Sequence, residues 1–352
     1  MNFTLTEEQE MIRQAARDFA HAELLPGVIE RDETQQFPSE QVKKMGELGF
    51  MGMMVAPEYG GSGLDTLSYV LTMEELSKVD ASSSVVVSVN NSLVCWGLET
   101  FGSEEQKEKY LKKLASGEII GAFCLSEPEA GSDATSQKTT AIDKGDHYIL
   151  NGTKNWITNG SSASVYLVIA QTHIEKGYKG INALIVEKGM PGFEIGPKEN
   201  KLGIRGSDTH SLLFNDVKVP KENRIGEDGF GFKFAMKTLA GGRIGIAAQA
   251  LGIAAGAYEL AKKTIQKNAE HLVRRYPTIR LLPLNWQICI RKFKPPDIWC
   301  TKRPGTKIRI MITIFLVQWP SFMPHKLLWK LLWRRCKYLE ETGSLKNTML
   351  SV

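Results

Sequence analysis

The sequence predicts an α+β fold in three consecutive parts: helices, then a β domain, then helices again. Three observations predict it. Apolar residues recur at helical spacing up to about residue 118, strand-like alternation with turn signals occupies about 119–228, and helical spacing returns from about 229. Together they predict an N-terminal helical domain over 1–118, a middle β domain over 119–228 and a helix over 229–263.

Thr6, followed by the acidic Glu7 and Glu8, reads as the cap and first turn of a helix that carries Met11, Ile12, Ala15, Ala16 and Phe19 on one face. Ser39 reads as a cap of the same kind ahead of "EQVKKMGELGF". The run "PEYGGSG", residues 57–63, reads as a loop, and "LSYVLTMEELSKVD" resumes the helical period. Ser103, with Glu104 and Glu105, opens a further helix that Gly117 stops. In the middle part "HYILNGTKNWITNG" contains Asn151-Gly152 and Asn159-Gly160, pairs that predict tight hairpin turns. "VYLVIAQT", "INALIVEKG" and "SLLFNDVKV" follow as strands. After "GEDGFGF" comes "KFAMKTLAGGRIGIAAQALGIAAGAYELAKK", whose small residues predict a helix that its neighbours can approach closely.

Composition divides the chain again near Thr264. Residues 264–352 hold 17 Lys+Arg against 4 Asp+Glu, whereas residues 1–263 hold 27 against 35. The overall net charge of +5 therefore comes from the last part alone, and it argues neither for a nucleic-acid partner nor for an anionic surface contacted by the whole chain. The five Cys include no CxxC pair and the six His show no metal-ligand spacing, so no disulfide framework or zinc site is indicated. No GxSxG or P-loop is present, which leaves hydrolase and nucleotide-triphosphatase readings without support. The longest apolar run, "IMITIFLV", is too short to span a bilayer, and the N-terminal residues read as neither export nor import signal; a cytoplasmic location is expected.

Two segments carry candidate chemistry. "FCLSEPEAGSDATS", Phe123–Ser136, joins helices to strands with hydroxyls and a Gly-containing turn, a composition that presents backbone N–H groups to a phosphate or a flavin ring or serves merely as a polar connection. "KNWITN" places Trp156 and Thr158 on one face of a strand by the two-residue period, so an indole and a hydroxyl would enter one pocket; a Trp alone reads equally as core. Arg205 in "KLGIRGSDTH" and Arg243 in "LAGGRIG" are compatible with ligand contacts or with simple carboxylate pairs.

"LSEPEAGSD", "NGTKNWITNG", "LGIRGSDT" and "GFGFKFAMKTLAGGRIGIAAQALG", in this order, resemble the acyl-CoA dehydrogenase family, closest to its short-chain (butyryl-CoA) members, across essentially all of residues 1–263. The resemblance implies an N-terminal helical domain, a middle β-barrel or sandwich domain and a C-terminal helical bundle. It implies FAD-dependent α,β-dehydrogenation of an acyl-CoA, reoxidation by an electron-transferring flavoprotein and a homotetramer. By motif position, Phe123, Cys124, Leu125, Ser126, Gly131 and Ser132 would line FAD, with Ser132 also near substrate. Trp156, Ile157 and Thr158 would border the flavin ring, and Ala240, Gly241, Gly242 and Arg243 would lie along the thioester.

The family's catalytic Glu occupies either the helix that here reads "LAGGR" or a late "IYEGT" motif. Gly242 stands at the first place and the second motif is absent from this sequence, so no residue here is assigned as the base. Back-translation accounts for the change at Thr264. One set of codons for "NWQICIRKFKPPDIWCTK", Asn285–Lys302, read from its third base encodes LADMYTEIQASRYLVYK, and the same shift turns "CKYLEETGS", Cys336–Ser344, into QIFGGNGF, both in the style of the family's bundle. Residues 264–352 therefore read as the bundle translated out of frame; a genuine basic interaction module is the competing reading.

Overall fold

In the computed structural model the described residues are 4–275, with side chains described up to residue 261. Apart from the backbone of one helix that reaches Arg275, the expected out-of-frame segment lies outside them.

Helix α1 (Glu7–Phe19) begins as the sequence predicts: Thr6 Oγ1 accepts from Gln9 N and Gln9 Oε1 accepts from Thr6 N, which satisfies two first-turn donors reciprocally. After a π-helical turn (Ala20–Leu24) come α2 (Val28–Glu33) and α3 (Ser39–Glu47). Ser39 is not the cap expected of it. Its N–H donates to Phe37 O at 2.9 Å, which draws Ser39 into the first turn and leaves Pro38 at the cap position with no side-chain hydrogen bond. Asp65 caps α4 (Thr66–Ser77) and Asp80 caps α5 (Ala81–Ser88), which passes through a π-helical stretch (Val89–Cys95) into α6 (Trp96–Phe101). Ser103 caps α7 (Glu104–Gln106) through a second reciprocal box, and the chain continues through a π-helical turn (Lys107–Leu111) into α8 (Lys112–Ala115). Gly117 then turns away at φ 74°, a left-handed conformation that favours glycine.

Eight strands follow: β1 (Gly121–Cys124), β2 (Thr140–Asp143), β3 (His147–Thr158), β4 (Val165–Gln171), β5 (Ile181–Glu187), β6 (Phe193–Lys198), β7 (Thr209–Pro220) and β8 (Arg224–Ile225). They form one mixed sheet in the order β6-β7-β3-β2-β4-β5-β8, with β1 pairing parallel to β4. The two Asn-Gly pairs do not make hairpins. Asn151-Gly152 lies inside β3 at a register shift against β7, where the Asn151 side chain exchanges hydrogen bonds with Asp216 of β7. Glycine is required at 152 because a Cβ there would come within 2.5 Å of Thr139 Oγ1, so close approach of the residue before β2, not a turn, selects it. Asn159-Gly160 does turn, with Asn159 at φ 63°, but the strands it joins, β3 and β4, are not neighbours in the sheet.

Helix α9 (Gly231–Arg275) leaves the sheet and lies along α4 and α5. The close approach predicted from its small residues is observed: a Cβ on Gly245 would fall 2.2 Å from Tyr69 Oη, on Gly252 2.4 Å from Glu74 O, and on Gly256 2.1 Å from Lys78 O. Beneath α4 the carboxylate of Glu75, 2% exposed, accepts from Arg13 (3.0 Å), Arg17 (2.9 and 3.1 Å) and Lys78 (3.0 Å). Burial opposes ionisation of Glu75, but the hydrogen bonds from Arg17, Lys78 and Arg13 outweigh it and hold the carboxyl at about 2.

A folded-state pKa below the ordinary value contributes stability that is present above about pH 4.5 and is lost as pH falls toward 2. Glu75→Gln should lower stability at pH 7 by about 3 kcal/mol. The gap between wild type and variant should close as pH is lowered from 5 to 2, as read from urea midpoints; a gap independent of pH would show that the charge is not what stabilises.

Candidate active site

β1 ends at Cys124, and the segment Leu125–Thr139 then loops out before β2 begins. Its backbone is held against β3 at two points: Asn155 N donates to Ser126 O at 2.8 Å and Lys154 Nζ donates to Leu125 O at 3.1 Å. A third tie holds the start of β1, where Asn159 Nδ2 donates to Gly121 O at 3.0 Å. The loop tip is open. Gly131 and Ser132 are exposed, and a Cβ built on Gly131 meets nothing within 4 Å.

Of the residues expected along the flavin, Phe123, Leu125 and Ser126 are half-buried, while Cys124 is fully buried in the sheet core with Tyr148 and Tyr166. Burial pushes the Cys124 thiol up, and only its main chain can face a ligand. The strand that carries Trp156 and Thr158 is irregular around Trp156, while the buried Ile157 between the exposed Trp156 and the half-buried Thr158 keeps the two-residue alternation. Between Lys154 and Ile157 the β3–β7 register shifts, and Trp156 takes a left-handed φ of 55°. The indole at this bulge is 59% exposed; Ile157 is core and Thr158 is half-buried. The ring is thus held in solvent on a sparsely allowed backbone and does not fill the core.

Residues 240–243 of α9 pack on the π-helical stretch after α5. A Cβ on Gly241 would lie 3.7 Å from Ser92 O and one on Gly242 2.7 Å from Leu93 Cδ2, whereas Ala240 and Arg243 are exposed. Helix and loop share a core: Phe234 of α9 lies 6.3 Å from Phe123, ring centre to ring centre. Arg205 is elsewhere. Its N–H donates to Asp32 and its guanidinium to Glu33 O, so "LGIRGSDT" fastens the β domain to α2.

Sequence reasoning missed one cluster. Lys154, fully buried on β3, holds Glu127 Oε1 and Gln137 Oε1, each at 2.5 Å, and Glu127 in turn accepts from the N–H groups of Lys138 and Thr139. Burial pushes Lys154 down to about 8 against the pull of Glu127. No pattern in the strand singles out this lysine. The arrangement also leaves Glu127 1% exposed with its oxygens occupied, so it is not free to act as a base.

An open Gly-Ser loop with its first two carbonyls bonded to β3, beside an exposed indole, fits a planar, phosphate-bearing cofactor. The family descriptions "Acyl-CoA dehydrogenase, N-terminal domain" and "Acyl-CoA dehydrogenase, middle domain" match residues 6–118 and 122–217. The short-chain specific acyl-CoA dehydrogenase of Clostridium acetobutylicum is 53% identical over 270 residues, 77% of this chain and 71% of that protein. A chain in the structure of the electron transferring flavoprotein of Acidaminococcus fermentans superposes with TM-score 0.74 at 54% identity, over 75% of this chain and 69% of that one. An acyl-CoA dehydrogenase complexed with FAD from Bacillus anthracis gives TM-score 0.66 at 38% identity, over 70% of this chain and 43% of that one. The chain belongs to the acyl-CoA dehydrogenase family, a family of oxidoreductases.

Trp156→Gly tests the exposed placement directly. Glycine accepts the left-handed backbone without strain, so the unfolding free energy from urea titration should stay level or rise by up to about 1 kcal/mol. A loss of the 3–5 kcal/mol typical of a truncated core aromatic would return Trp156 to the core.

Proposed function

We propose that this fold is built to oxidise a short-chain acyl-CoA to its trans-2-enoyl-CoA with FAD, and that the sequence as written lacks the general base for that reaction. The exposed indole at the bulge of β3, beside the open loop, carries the reading. Leu125–Ser132 would hold the flavin through main-chain N–H groups and hydroxyls, Trp156 would cover its face, and Thr158 would bond its edge. FAD, when bound, supplies the acceptor for the hydride leaving the β carbon.

The protein's own part is to position the thioester along Ala240–Arg243, exclude water, and offer donors to the oxygen that gains negative charge as the α proton leaves. Removal of that proton needs a carboxylate. Gly242 has none, and the two carboxylate oxygens of Glu127 are bound to Lys154 and to main-chain N–H groups. We read residues 264–352 as the out-of-frame remainder of the bundle that would carry the base and the contacts of a homotetramer. An electron-transferring flavoprotein is the oxidant this reading requires.

The 352-residue chain and a version with the frame restored after Lys263 should differ in turnover of butyryl-CoA with an artificial electron acceptor by at least the 10²- to 10⁴-fold typical of a lost general base. Equal turnover would place a base within these residues. A frame-restored protein that stays colourless when purified with excess FAD would sink the flavin assignment. In that restored protein Thr158→Val should slow flavin reduction without reducing flavin content; an unchanged rate would remove Thr158 from the site.

A further inference from the structure

We propose that Lys154 is a positioning residue: its buried ammonium, by donating to the Leu125 carbonyl, orients the main chain of the loop that begins the flavin site. The inference rests on the flavin reading above. Lys154 stands two residues before Trp156 on β3, so one strand carries both the indole and the group that fastens the facing loop. Its three acceptors span that loop, from Leu125 O at the start through Glu127 to Gln137 near the end. Glu127 extends the tie by accepting from Lys138 N at 2.6 Å and Thr139 N at 3.2 Å, where β2 is about to begin.

The consequence follows from peptide planarity. A trans peptide holds the carbonyl of Leu125 and the N–H of Ser126 in one plane, pointing in opposite directions. With Leu125 O drawn to Lys154, the Ser126 N–H is turned to the side away from it. The Ser126 carbonyl is likewise drawn to β3 by Asn155 N. A lysine is suited to this task because its ammonium is a compact triple donor, and here each of its three donors has an oxygen partner. A purely stabilising pair would not need the third, neutral acceptor on the loop's first residue.

The test separates positioning from stability. Lys154→Met alone leaves Glu127 buried without a counter-charge and could unfold the domain. The informative variant is therefore Lys154→Met/Glu127→Gln, which removes both charges at similar volume and keeps an amide oxygen for Lys138 N and Thr139 N. Hydrogen exchange of residues 125–139 without flavin, the urea midpoint, and FAD affinity from quenching of flavin fluorescence are measured on the 352-residue chain and on the variant. The expected result is an unchanged midpoint, exchange at least tenfold faster in 125–139, and FAD affinity at least tenfold weaker, with Lys154→Arg recovering part of both. Wild-type exchange in the double variant overturns the proposal, and so does faster exchange spread evenly over the sheet. If the 352-residue chain takes up no FAD, the affinity arm is run in the frame-restored protein, where failure to bind flavin sinks the flavin reading by itself, and the exchange arm still decides whether Lys154 orients the loop.

Discussion

One ring joins the parts of this molecule. Phe234, fully buried on α9, lies 5.8 Å from Phe101 of α6 and 6.3 Å from Phe123 of β1, ring centre to ring centre. A Cβ on Gly97 would come within 2.9 Å of its edge, so α6 can present only a glycine there. The helical domain, the sheet and the last helix thus share a single apolar cluster that includes Val94, Leu98, Leu167 and Ile185. Burial of one phenylalanine contributes about 1.5–3 kcal/mol, but its geometric effect is larger. The candidate flavin loop starts two residues after Phe123, and residues 240–243 lie about two helical turns beyond Phe234, so this contact sets the distance between the two walls of the site.

Two buried charges serve that arrangement in different ways. Glu75 has three cationic partners, two of them roughly a third exposed, and its attraction to them exceeds the cost of burying it; the result is a fastening of α1 to α4. Lys154 has one carboxylate and two neutral oxygens and no exposure at all. In such surroundings desolvation nearly cancels the ion-pair attraction, so the pair adds little to stability relative to apolar packing. What it adds is direction, because a charged donor in an apolar sheet tolerates few arrangements of the oxygens around it.

The fold was largely legible before any coordinates. The cap at Thr6, the box at Ser103, the strands at 165–171 and 181–187 and the glycine-bearing face of α9 all depend on residues within one or two turns or strand periods of one another. Local physics encodes them, so a reader of the sequence can recover them. Legibility failed where a local signal was claimed by a distant partner. Asn151-Gly152 carries a hairpin signature, yet Asp216 and Thr139 hold it inside a strand. Ser39 looks like a cap, yet Phe37 O captures its N–H. Arg205 is compatible in sequence with a ligand contact or a carboxylate pair, and only a partner on α2, 173 positions away, decides between them.

The site shows the same division. The motifs that carry the family are determined by the sequence alone, because each is a contiguous run of residues. Three matters were decided only by tertiary structure: the exposure of Trp156, the burial of Cys124 and Ile157, and the pairing of Lys154 with Glu127 across 27 residues. Each depends on which strand lies beside β3 and where its register slips. That is a property of long-range pairing, which no local period of the chain records.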